Sequence, residues 1–239
     1  MNLCEHLHRV VASLPLYKYP VVLEALPDNG IILTYEHGQA WGHGGDEPRI
    51  VHVGSHRDGN LAHRLSEHFL LDERKMDFTV NGAAPKDRSI LRKTIGRALL
   101  NMAGDPYLAM LDVDFTKRIN RDRFGGSREL EREKAVESAV TDYIRSRFSF
   151  RVIPVLEQND RLGSCSLKSR IIATAAQCDS CCPTPDWLGN HAPDEKICHF
   201  GLWQVQQTRG DVLNEGDFEF LVRVTPERPT ATSLGASPA

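Results

Sequence analysis

Two short apolar runs, Ile31–Tyr35 and Ile50–Val53, lie on either side of a polar loop and are bounded on their outer sides by turn residues. Pro27-Asp28-Asn29-Gly30 precedes the first run, and Gly54-Ser55-His56-Arg57-Asp58-Gly59 follows the second. Both runs are rich in β-branched residues and read as strands. The loop between them, His37 to Pro48, is rich in glycine and histidine and shows no helical pattern, so the pair reads as a hairpin.

Helical periodicity surrounds this hairpin. Leu3, Leu7, Val10 and Val11 predict an opening helix over residues 3–13. From Asn60 onward, Leu61, Leu65, His68 and Phe69 share one helical face, with Arg64 inside it. Further helices are predicted at about 88–103, at 131–146 and at 161–176, and a third strand over Phe148–Leu156. The order β-β-α, a helical insertion at about 72–147, then β-α predicts an α+β fold: a small central antiparallel sheet flanked by helices. One domain is expected over residues 1–225, followed by a disordered Pro/Ser/Thr/Ala-rich tail over 226–239.

Composition bears on partners and compartment. No apolar run approaches the roughly 20 residues a membrane helix needs, and the start lacks a secretory pattern, so no membrane partner and a cytoplasmic location are expected. The net charge of −3 gives no global sign of nucleic-acid binding. Charge is uneven, however: Arg88, Arg92, Lys93 and Arg97 fall in a stretch without an acidic residue. That stretch reads as a solvated helix face or as a phosphate-binding surface.

Gly30-Ile31-Ile32, followed by Val51-His52-Val53-Gly54, resembles the paired half-motifs of the GIY-YIG nucleases. The helix Asn60–Phe69 resembles the family's first helix, and Leu167-Lys168-Ser169-Arg170-Ile171-Ile172 the helix that carries its metal-binding glutamate. Ser89–Leu100 and Asp186-Trp187-Leu188-Gly189-Asn190 are similar to a group of bacterial, mostly uncharacterised GIY-YIG domain proteins. The order, spacing and helical context of these pieces are specific where each alone is weak.

The resemblance implies phosphodiester hydrolysis of DNA assisted by Mg²⁺ or another divalent metal, in which nucleophile and phosphate charge are positioned by side chains. Arg64 matches the arginine that steadies phosphate charge, and its guanidinium can hold two oxygens at once; a surface ion pair with Glu67 is the other reading. His52 stands at the second tyrosine, where an imidazole of ordinary pKa would accept a proton more readily than a phenol. His68 occupies a Tyr/His position suited to a phosphate oxygen or a water, or to a half-buried structural role. His56, Arg57, Arg92 and Lys93 are candidate phosphate contacts, with His56 and Arg57 equally readable as a loop cap.

Two positions depart from the pattern. Ile32 replaces the first tyrosine, and Tyr35, at an odd offset, should point to the opposite face of the strand. Lys168 replaces the metal-binding glutamate. An ammonium offers Mg²⁺ no ligand, and at ~4 Å with an effective dielectric near 20 it opposes a divalent ion by roughly 8 kcal/mol before screening. The chain therefore reads as a GIY-YIG endonuclease-like protein with impaired activity; a degenerate nucleic-acid-binding or protein-interaction module is the alternative.

Cys178-x-x-Cys181 has the spacing of half a zinc site, with Cys198 the further candidate ligand and Cys182, His191 and His199 also near in sequence. No second C-x-x-C accompanies it. Reduced cysteines packed behind the Trp187 segment are the preferred reading, and zinc the alternative.

Overall fold

Gly30 starts the central strand because nothing larger fits there: a Cβ would lie 2.4 Å from Val152 Cγ1 and 2.6 Å from the Ile153 carbonyl oxygen. In the computed structural model, which describes residues 2–225, the strands are β1 (Tyr17–Lys18), β2 (Gly30–Ala40), β3 (Pro48–Gly54) and β4 (Phe148–Pro154). They form one antiparallel sheet in the order β1-β4-β2-β3. The helices are α1 (Leu3–Val11), α2 (Leu61–Phe69), α3 (Ile90–Met102), α4 (Leu108–Leu111), α5 (Arg118–Phe124), α6 (Leu130–Arg147), α7 (Gln158–Arg161), α8 (Leu167–Ala176), α9 (Glu195–Phe200) and α10 (Glu215–Val224). The fold is α+β, as the hydrophobic pattern predicts, and the tail expected over 226–239 lies outside the described residues.

Strand parity divides β2 between two apolar layers. Ile31, Leu33 and Tyr35 pack with Leu7 and Val11 of α1, Leu167 and Ile171 of α8, and Leu221 of α10. Ile32 faces the other way, into Leu61, Leu65 and Phe69 of α2 and into α3 and α6. Tyr35 thus stands behind the sheet from Ile32, as the odd offset requires. Burial on both faces explains why β2 reads as a continuous apolar run, and each such side chain removed from water contributes roughly 1.5–3 kcal/mol.

Glu36 is the buried polar exception. Its Oε2 accepts from the indole Nε1 of Trp187 and of Trp203, both at 2.9 Å, and its Oε1 accepts from the Tyr143 hydroxyl. One carboxylate thereby ties β2 to α6 and to the segment after α8. The free edge of β3 is covered as well: Trp203 N donates to Val51 O at 2.7 Å, and Val53 N donates to Gln204 Oε1 at 2.8 Å.

Several expected boundaries move. The helix predicted over 161–176 is broken into α7 and α8 by Gly163, whose φ of +100° a helix cannot hold. The loop after His37 is shorter than expected, because β2 runs to Ala40 and β3 starts at Pro48. In α1 the inward face is Cys4, Leu7, His8 and Val11, whereas Leu3 is 40% exposed. Among the described residues no helix is long and apolar enough to cross a membrane.

Candidate active site

The β2–β3 hairpin places Ile32 opposite Gly54 and Thr34 opposite His52, so His52 emerges on the α2 side of the sheet. Gly54 leaves it room, since a Cβ there would come within 3.3 Å of His52 Cε1 and 3.6 Å of the Ile32 side chain. From α2, His68 meets His52 edge to face, with ring centroids 5.9 Å apart. Arg64 lies one turn earlier on the same helix, and α8 brings Lys168 from the far side of the hairpin. These four side chains share one electrostatic neighbourhood: Arg64 and Lys168 both act on His52, and Arg64 acts on Lys168 and on His68.

Burial first, then the charges of Arg64 and Lys168, push His52 down to about 3. A base that weak is a poor proton acceptor near neutral pH, which corrects the ordinary imidazole expected at this position. His68 is likewise driven well below its usual range, by burial and then by Arg64. Burial followed by Arg64 also lowers the Lys168 ammonium.

Ser89 Oγ accepts from Arg92 N at 3.2 Å and is hydrogen-bonded to His68 Nδ1, 2.7 Å away. His68 Nε2 and His52 Nδ1 are both buried without a hydrogen-bond partner among the described residues. Buried polar atoms without partners usually mark a ligand or an ordered water. Ser89 caps α3, and nothing in its sequence position marks it as the partner of His68.

Arg64 makes the ion pair with Glu67 that its helical spacing allows. Its Nη1 donates to Arg88 O at 2.8 Å and lies 3.4 Å from Glu67 Oε2, while Nε and Nη2 make no hydrogen bond among the described residues. Arg57 is exposed on the following loop. With Ser55, Asn60, His63 and Leu162, these residues line an open cleft of about 280 Å³. A larger cleft of about 660 Å³, around Tyr19, Gln39 and Arg147, contains none of the site residues.

Three of the expected phosphate contacts are corrected. Arg92 is fully buried, and its guanidinium is held by Glu137 Oε2 at 2.6 Å, Thr141 Oγ1 at 2.8 Å and His68 O at 3.2 Å. No edge remains for a phosphate. Lys93 donates to Asp112 O at 2.6 Å and shares the Asp112 carboxylate with Arg97, so part of the basic stretch is turned toward Asp112. His56 is a structural link, accepting from Gly30 N at 3.1 Å through Nε2 and bonding Arg57 O at 2.5 Å through Nδ1. Cys198 is also removed from the zinc candidates, because its thiol bonds Gly189 O at 3.2 Å, apart from Cys178 and Cys181.

A divalent metal of the family's kind does not fit this donor set. Mg²⁺ takes oxygen ligands, whereas the converging side chains are two cations and two imidazoles. The adjacent carboxylate, Glu67, is engaged by Arg64 and by His63 at 3.3 Å. Among the described residues, no group of three or more metal-ligating side chains gathers here.

The depressed histidines have a consequence for stability. The unfolded chain protonates His52 near 6.5 and the folded chain only near 3, so between those values the unfolded state binds more protons. The stabilisation is complete above about pH 6.5 and is lost as pH falls through the window, at up to about 1.4 kcal/mol per pH unit per histidine. Urea denaturation at pH 7 and pH 5 should show a smaller acid loss for His52→Gln than for the parent chain. Equal losses would contradict the buried, neutral assignment.

Searches of curated proteins and of solved structures each return no match to this chain. A family model described as GIY-YIG domain matches residues 5–225, which span both sheet and helices. The half-motif hairpin, the α2 arginine and a match over nearly the whole chain converge: the protein belongs to the GIY-YIG domain family.

Proposed function

We propose that residues 1–225 act as one nuclease-type domain that binds DNA phosphate but hydrolyses it weakly or not at all. The observation that carries this reading is the convergence of Arg64 and Lys168 on His52, at the position where the resemblance implies a carboxylate and a metal. Two cationic side chains suit a phosphate group. Arg57 at the cleft rim adds a further cation for a neighbouring phosphate. A bound phosphate would offset the charges of Arg64 and Lys168 on His52, while the larger effect, burial, would remain.

Plasmid nicking in Mg²⁺ or Mn²⁺ tests the catalytic half. The parent chain should cut little or not at all, and Lys168→Glu should cut more. Robust cleavage by the parent that Arg64→Ala abolishes would overturn the proposal. DNA-binding titrations at several salt concentrations test the other half: affinity should fall with salt, and Arg64→Ala should lower the log–log slope by about one. Salt-independent or absent binding would favour a protein-interaction module instead.

A further inference from the structure

We propose that Cys4, His43, Cys178 and Cys181 form a closed structural zinc site. Their ligand atoms, three thiol sulfurs and an imidazole nitrogen, all lie within 4.8 Å of one another. Cys4 Sγ and Cys181 Sγ are 3.7 Å apart, and Cys178 Sγ is 3.3 Å from His43 Nε2. Tetrahedral zinc, with Zn–S of about 2.3 Å and Zn–N of about 2.0–2.1 Å, sets sulfur–sulfur edges of about 3.8 Å and sulfur–nitrogen edges of about 3.6 Å. The two separations, 3.7 Å between sulfurs and 3.3 Å from sulfur to nitrogen, lie near those edges. They do not match a disulfide, whose sulfurs lie about 2.05 Å apart, and a disulfide would use only two of the three thiols and leave the imidazole unexplained.

The ligands arrive from three distant parts of the chain: the first turn of α1, the loop between β2 and β3, and the C-x-x-C turn that follows α8. Gly42 permits their approach, because a Cβ there would lie 1.6 Å from the Ser180 carbonyl oxygen. The same residue aims its N–H at Cys181 Sγ, 3.5 Å away. His8 supports Cys4 from the next turn of α1. Ile50 N donates to His8 Nε2 at 3.2 Å, so the ring hydrogen is on Nδ1, which faces Cys4 O at 2.8 Å and Cys4 Sγ at 3.5 Å. N–H groups directed at sulfur favour the thiolate form that a metal needs.

The local packing agrees with a metal rather than an apolar nucleus. Cys4, Cys178 and Cys181 form a small cluster with Trp41, separate from both main layers of the core. Three thiolates and a neutral imidazole are the donor set of a Cys₃His zinc site, and with all four positions filled by protein no place is left for a substrate. Mg²⁺ and Ca²⁺ are disfavoured by the absence of oxygen ligands. Zinc would displace the thiol protons on binding and fasten α1, the hairpin loop and the end of α8 together.

Metal analysis of the full-length chain, purified under reducing conditions, should find one zinc ion per molecule. Cys178→Ser and His43→Ala should lose it, and Cys198→Ser should retain it. Because a ligand variant can lose metal by unfolding, the unaltered chain loaded with Co²⁺ supplies a second measurement. It should show the intense visible bands of tetrahedral cobalt with thiolate charge transfer. Only trace metal in the zinc-supplied parent, an octahedral cobalt spectrum, or a disulfide between two of these cysteines would overturn the proposal.

Discussion

Replacing Arg92 with alanine should cost roughly 3–5 kcal/mol of folding stability, the usual effect of stranding one partner of a buried ion pair. Arg92 and Glu137 are both almost fully enclosed, and the guanidinium contacts Glu137 Oε2 through Nη2 at 2.6 Å and through Nε at 3.1 Å. Burial pushes the Glu137 carboxyl up, and the charge of Arg92 followed by its hydrogen bonds pulls it back. Without Arg92 the carboxyl keeps, among the described residues, only the Lys86 N–H, at 2.6 Å, as its hydrogen-bond donor. Denaturant titration measures the loss directly, and a cost below about 1 kcal/mol would contradict this account of the pair. The double variant Arg92→Met with Glu137→Leu removes both charges and should be less damaging than Arg92→Ala, because no charge is left unpaired.

Trp203→Ala should cost a similar roughly 3–5 kcal/mol, for a different reason. The indole is completely buried and lies 5.0 Å from the ring of Trp187, so its deletion leaves a cavity between the hairpin and the segment after α8. Trp203→Phe refills much of that space but takes away one of the three donors to Glu36. The loss should then fall to about 1–3 kcal/mol, the cost of leaving a buried acceptor short of a partner. Thermal melts of the two variants separate the contributions. Equal destabilisation by alanine and phenylalanine would mean that the bond to Glu36, rather than volume, dominates.

Those two sites show which parts of the molecule can be read from the chain. The hairpin and α2 were legible because their apolar residues follow strand and helix periods, and the positions of Ile32 and Tyr35 on opposite faces follow from parity alone. His52, Arg64, His68 and Lys168 could be named because each sits at a fixed offset within those elements. Their pKa shifts could not, since they depend on burial and on charges brought from another helix. Arg92 was misread for the same reason: its partner Glu137 is on α6, far along the sequence, and a local run of basic residues looks exposed until that partner is placed. Cys4 and His43 gave no spacing signal beside Cys178 and Cys181. α10 does carry one, an Asn214–Asp217 capping box ahead of Phe218 and Leu221.

The bonds from Trp203 and Gln204 to β3 also bear on how copies of this protein can meet. A strand edge with open N–H and C=O groups is a template on which another chain can add a strand. Here Val51 O and Val53 N are already engaged from within the molecule, and the opposite edge strand, β1, is only two residues long. Strand addition at the β3 margin is therefore opposed by bonds that the molecule already makes.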